Sequence, residues 1–243
     1  VRRTYNMRHE ATRIEYLDAK GKLTNNKNLG YAYVEYNRPK EEKGKMITSA
    51  YYDESKELIL IPQKGYAVVD KHYNERGLLE WEAYYDEVNK PICRTDYKVA
   101  KIEYEYAEDG NCSKTWYQDT EGRPVNRHDT GYAVVYRDYQ GGKLKKVNYE
   151  GFQEQEYGAV LNRKTGVAAI EYIYNTEGQK QKEKYYGTDG EPVLRSDVGC
   201  AVWEFRYDDV GRCNNESYHD TNGKLIIRKD RGYASIKRTY NEA

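Results

Sequence analysis

Four histidines, four cysteines and a recurring aspartate are the residues in this sequence with the chemistry to hold a metal, attack a bond or move a proton. His9, His72, His128 and His219 are scattered along the chain. No two stand at the separation of a zinc pair, and no His-Glu-x-x-His run occurs. A serine–histidine–aspartate relay is defined by geometry and not by order, and nothing in the sequence singles one out. No Gly-x-Ser-x-Gly elbow and no phosphate-cradling glycine loop is present. The expectation is a protein that is not an enzyme and carries no cofactor and no metal.

The aspartates recur in a turn box at Asp18, Asp53, Asp86, Asp119 and Asp220, written most fully as Asp119-Thr120-Glu121-Gly122 and Asp220-Thr221-Asn222-Gly223. Calcium needs several oxygens, and each box offers one carboxylate, sometimes with an acidic neighbour. Turn chemistry accounts for the pattern directly: Asp bonds to backbone amides and Gly takes positive φ. The cysteines are Cys93, Cys112, Cys200 and Cys213, of which Cys112 and Cys213 share one repeat position. Spacing favours the pairs Cys93–Cys112 and Cys200–Cys213 over the other connectivities, with four free thiols as the alternative. Asn111-Cys112-Ser113 and Asn215-Glu216-Ser217 match the glycosylation acceptor pattern, so Asn111 and Asn215 are candidate acceptors in a secreted chain.

The 243 residues divide into 40 basic and 40 acidic ones with zero net charge, which argues against a nucleic-acid partner. No apolar run is long enough for a membrane span. A third of the residues are charged, yet 28 are tyrosines against 2 Phe and 3 Trp. Disordered chains are poor in aromatics, so this composition points to an ordered protein with a thin tyrosine core. The absence of a signal peptide and the initial Val1 point to a processed or excised segment.

A repeat sets where these residues stand. Gly-Tyr-Ala and its variants place Ala32, Ala67, Ala100, Ala133, Ala168, Ala201 and Ala234 at steps of 35, 33, 33, 35, 33 and 33 residues. Glycine stands two before each alanine except at Lys98. Two after comes Val34, Val69, Ile102, Val135, Ile170, Trp203 or Ile236, and six after comes tyrosine, from Tyr73 to Tyr240, except at Arg38. Apolar residues at even offsets give the period of a half-buried strand. A glycine turn follows, with Gly77 or, two residues late, Gly44. A second segment then runs to Tyr16, Tyr51, Tyr84, Tyr117, Tyr149, Tyr185 or Tyr218, and the aspartate box leads to a short apolar element such as Ile92 or Val193. Each unit therefore reads as strand, turn, longer strand, turn, short strand. The units span approximately 1–29, 30–64, 65–97, 98–130, 131–165, 166–198 and 199–231, with a partial unit at 232–243.

No unit has enough apolar residues for its own core, so neighbours must cover one another. The expected fold is an all-β, elongated, solenoid-like antiparallel array of about seven units. A seven-bladed propeller is the alternative, although its blades usually need four strands and a longer unit. In the array, Tyr73, Tyr106 and Tyr139 are expected to stack as a ladder. Tyr52, Tyr85 and Tyr186 follow the core tyrosines directly and so point to the opposite face, as a row of aromatic rings suited to sugars. Val1 to Asn6 matches Ile236 to Asn241 seven units on, which points to a piece of a longer array or to head-to-tail joining.

Phe205-Arg206-Tyr207-Asp208-Asp209-Val210-Gly211 resembles the Tyr-x-Tyr-Asp-x-x-Gly core of bacterial YD (Rhs-type) repeats, with looser copies at Tyr172 to Gly178 and Tyr104 to Gly110. The composition is also similar to that of bacterial cell-wall-binding repeats. The resemblance implies β-repeats of surface or secreted proteins and assigns no functional residue. The expected function is a non-enzymatic extracellular or cell-surface module that binds glycans or surface polymers. The alternative is a structural spacer or fibre-forming subunit whose partners are copies of itself. A third is an interaction platform for another protein.

Overall fold

The computed structural model describes residues 1–38 and 45–241; Gly44 lies outside them. Its strands are β1 (Arg2–Tyr5), β2 (Ala11–Glu15), β3 (Tyr33–Asn37), β4 (Lys45–Tyr52), β5 (Val68–Tyr73), β6 (Leu79–Tyr85), β7 (Lys101–Tyr106) and β8 (Cys112–Gln118). The chain continues with β9 (Val134–Gln140), β10 (Lys143–Gln153), β11 (Glu156–Ala159), β12 (Ala169–Tyr174), β13 (Lys180–Tyr186), β14 (Val202–Tyr207), β15 (Cys213–His219) and β16 (Ser235–Lys237). All belong to one antiparallel sheet that follows chain order, with β11 set aside on the end of β10. The sheet is not closed: β1 pairs with β2 and β16 with β15 at its two ends. The chain is thus an open β-array and not a propeller, whose blades are separate sheets. Among the described residues, strands touch only their neighbours in the sheet. Two compact units result, residues 1–105 with 115–128, and residues 106–114 with 129–243.

The alanine column marks where one hairpin hands over to the next. In the first unit the Ala67 N–H donates to Tyr85 O at 2.9 Å, within its own hairpin, while its carbonyl accepts from Tyr51 N of the hairpin before, also at 2.9 Å. Ala168 does the same between Tyr186 and Tyr149 in the second unit. Both backbone groups are in use and both faces are covered, so only a small side chain fits, and these alanines are almost wholly buried.

The short apolar element is not a third strand. Ile92 N donates to Tyr84 O at 3.0 Å and Pro91 forms a single bridge with Tyr85, a pattern shared at Pro124 and Pro192. A residue without an N–H is tolerated in such an isolated bridge. The loop that follows folds back on the loop before it. Thr95 N bonds Lys64 O at 2.8 Å in the first unit, and Arg163, Ser196 and Lys229 bond Thr130, Thr165 and Val198 at 2.9, 2.7 and 2.9 Å in the second. Gly65 has φ +73°, and a Cβ there would collide with the Thr95 side chain, so this glycine serves both the turn and the close approach. Lys98, the exception in the glycine column, takes φ 58° as a non-glycine residue.

Tyrosine fills the thin core as a ladder through the Gly-Tyr-Ala and second-strand columns. In the first unit Tyr16, Tyr31, Tyr51, Tyr66 and Tyr84 follow one another with ring centroids 5.8, 4.9, 6.0 and 4.9 Å apart, alternating the Gly-Tyr-Ala tyrosine with the second-strand tyrosine. The last-position tyrosines have a different task. In the second unit the hydroxyls of Tyr174, Tyr207 and Tyr240 donate to the carbonyls of Leu144, Lys180 and Cys213, tying each hairpin to the one before.

Candidate functional site

Arginines that the sequence reading passed over organise the core. Arg94, Arg127, Arg195 and Arg228 stand six residues before their alanines, each two before an aspartate. Arg94 holds Asp96 with two bonds, 2.6 and 2.7 Å, and donates to the Tyr84 hydroxyl at 2.7 Å. Arg195 and Arg228 hold Asp197 and Asp230 in the same bidentate way. A glutamate completes the chain where Tyr185 donates to Glu183 at 2.8 Å, and Lys180 pairs with Glu183. Each of these arginines is held by neighbouring side chains of the repeat, although the buried Nη1 of Arg228 meets no acceptor, and the network is part of the architecture. The signal was legible in the sequence as Arg-x-Asp at a fixed offset.

The aspartate boxes are turns. Oδ1 of Asp119 accepts from Glu121 N and Arg123 N at 3.0 and 2.9 Å, and Asp18, Asp53, Asp86 and Asp220 accept in the same two places. Lys56 and Asn89 supply the positive φ where the box lacks its glycine. Among the described residues no three His, Cys, Asp or Glu side chains come together to hold a metal. His72 stacks on Trp81 and lies 3.1 Å from Glu80. His219 Nε2 meets Ser217 Oγ at 3.0 Å and lies 3.6 Å from Glu204, while its Nδ1 faces the Gly223 carbonyl. A relay needs the acid on the other ring nitrogen, so these three side chains do not form one.

No disulfide is formed, which corrects the proposed pairs Cys93–Cys112 and Cys200–Cys213. Cys213 is paired in register with Tyr207 at the turn end of the β14–β15 hairpin, while Cys200 precedes β14 at its loop end. Seven residues of extended chain separate those ends by roughly 20 Å, far beyond disulfide reach. Cys112 Sγ instead contacts the Lys114 carbonyl at 3.3 Å and Arg137 at 3.7 Å. Cys93 is a half-buried thiol in the loop after β6. Asn215 lies within β15 between β14 and β16, and the Asn111 side chain donates to Asp109 at the turn before β8.

The three tyrosines expected in an aromatic row are each half-buried, in different settings. Tyr52 stacks on Tyr33 at 4.6 Å, with the Arg13 guanidinium 3.9 Å from the Tyr33 ring on its own account. Tyr85 is half-buried opposite Val68, and the next two places in the column hold Gln118 and Glu150. Tyr186, in the second unit, stands instead at the edge of an open groove of about 540 Å³. The strands β9, β10, β12 and β13 build this groove from residues that share one face by alternation. Lys146 lies in register between Asp138 and Glu171, and Asn148 between Tyr136 and Ala169. The small Ala169, opposite Tyr186, leaves the floor low. The Tyr186 hydroxyl donates to Glu171 Oε2 at 2.7 Å, and Lys184 Nζ lies 3.7 Å from the same oxygen. Burial, then the bond to Glu171, pushes the Tyr186 hydroxyl up to about 12. Glu150 forms the far wall. Two aromatic rings, Tyr136 and Tyr186, three carboxylates, an amide and an ammonium thus converge on one concave surface. The carboxylates were not found in sequence because polar residues at odd strand positions look like any solvated face. No protein-family model matches the chain, and no curated protein matches it significantly.

Proposed function

We propose that the chain is a non-enzymatic repeat module of the cell surface or extracellular space that binds neutral or amino-bearing glycan chains. The observation that supports this is the groove at Tyr186. Sugars offer a C–H face to an aromatic ring and hydroxyls to carboxylates and amides, and pockets of this kind orient ligands with a few placed polar groups. With Asp138, Glu150 and Glu171 against Lys146, the lining is net acidic and disfavours acidic sugars. The likeness to surface repeats named above is in keeping with this reading. Among the described residues no helix is long and apolar enough to cross a membrane.

An array of neutral, amino and acidic oligosaccharides tests the proposal. Neutral or amino sugars are expected to be retained and acidic ones not, with Tyr186→Ala weakening retention about tenfold through the loss of one stacking face. Retention of no glycan, or retention indifferent to Tyr186→Ala, would overturn it.

A further inference from the structure

One repeat departs from the pattern, and it does so beside the groove. Elsewhere a four-residue turn, an aspartate box except at Gly187, closes the step from the core tyrosine to the bridge, as from Tyr84 to Ile92. Here Val160 bonds Tyr149 across a segment three residues longer, folded as the β10–β11 hairpin. Its two-residue turn places Glu154 and Gln155 at φ 49° and 71°, left-handed conformations held without a glycine or asparagine. Insertions in repeat proteins map to loops, often on the binding face.

Register fixes where the hairpin points. Glu150 lines the groove and pairs with Ala159, and two residues on Phe152 pairs with Tyr157. Alternation puts Phe152 and Tyr157 on the same face as Glu150, Ala159 and Tyr186. The two rings meet with centroids 5.1 Å apart and planes tilted by 57°, and Tyr157 remains 45% exposed. Burial and then the Glu150 charge raise the Tyr157 hydroxyl, in keeping with Glu150 lying between hairpin and groove.

We propose that Phe152 and Tyr157 form a second aromatic subsite, which stacks on a further sugar ring of the same glycan whose first ring lies against Tyr186. This rests on the glycan-binding reading of the groove. Two subsites in line on one face select for chain length: a short oligosaccharide fills the groove alone, and a longer one gains the hairpin contact. The rings' chemistry asks for a ring with an exposed C–H face and no negative charge next to Glu150.

The test compares dimers and hexamers of cello-, xylo-, manno- and chito-oligosaccharides by calorimetry, on the intact chain and on Tyr157→Ala, Tyr157→Phe and Tyr186→Ala. The best hexamer is expected to bind about tenfold more tightly than its dimer. Tyr157→Ala removes that advantage and leaves dimer affinity within twofold, Tyr157→Phe retains it, and Tyr186→Ala weakens both. Circular dichroism checks that each variant keeps its strands, and ligand-induced shifts of the Tyr157 ring resonances report contact independently of any substitution. If some oligosaccharide binds and Tyr186→Ala weakens it, but Tyr157→Ala changes dimer and hexamer alike or neither, the hairpin subsite is wrong and the groove stands. If no oligosaccharide binds at all, the groove reading falls and this one with it.

Discussion

Arg94 has only 8% of its side chain exposed and keeps its charge because Asp96 and the Tyr84 hydroxyl supply acceptors. Removing one member of such a set leaves the others buried and unpaired, which costs more than the set contributes. Arg94→Met should therefore destabilise the chain by about 3 kcal/mol in urea unfolding, and Asp96→Asn, at a more exposed position, by less. The tyrosines carry a second consequence. Burial raises the hydroxyls of Tyr84 and Tyr185 well above their ordinary value, and Tyr172 to about 12. An unfolded tyrosine ionises near 10, so above that pH the unfolded state sheds protons that the native state keeps. Stability is unaffected by these groups below pH 10 and falls as pH rises from there through the folded values. Each fully buried tyrosine contributes about 1.4 kcal/mol per pH unit in that window. Thermal melts from pH 8 to 11.5 should show the midpoint dropping steeply only past 10, and less steeply in Tyr185→Phe. A midpoint that is flat to pH 11.5 would mean the hydroxyls are not shielded.

At the scale of the element, two glycines separate conformation from packing. Gly65 and Gly77 have nearly equal positive φ, 73° and 75°. A Cβ at Gly77 meets nothing within 4 Å, while at Gly65 it meets Thr95 of the next loop. Gly77→Ala should cost about 1 kcal/mol, the strain of a left-handed alanine, and Gly65→Ala clearly more. Equal losses would show that the loops can part without penalty. These elements also show what the sequence made legible. Strand period and turn residues repeat, so the hairpins could be read from Val69, Tyr84 and Gly77 alone. The bridge at Pro91 was read as a strand because a few apolar residues after a turn look the same in either state. The ladder partners were missed because the tyrosine of Gly-Tyr-Ala sits outside the strand, where alternation gives no direction. At the candidate site Tyr186 was found by its column, whereas Asp138, Glu150 and Glu171 become neighbours only through the register of three strands.

At the scale of the whole molecule, strands among the described residues touch only sheet neighbours. Stability is then a sum of repeat and interface contributions, and pieces can fold without the rest. Residues 1–128, cut at the loop before Asp129, should keep native strand content by circular dichroism and unfold cooperatively. The full chain should unfold with a denaturant slope smaller than a two-state domain of its size requires. A 1–128 piece without structure would rule out the nearest-neighbour picture.

The loop-to-loop bonds have a direction. In each, the later loop donates its N–H to a carbonyl of the earlier one, as Thr95 does to Lys64 and Ser196 to Thr165. On a ribosome, where about 5–20 residues are added each second, a new repeat emerges over a few seconds. A hairpin closes in roughly microseconds. Each repeat therefore meets an acceptor and a strand edge already in place before the next has been translated. The chain is laid down like courses of brick, and a nascent polypeptide exposes no more than one fresh edge at a time to other chains.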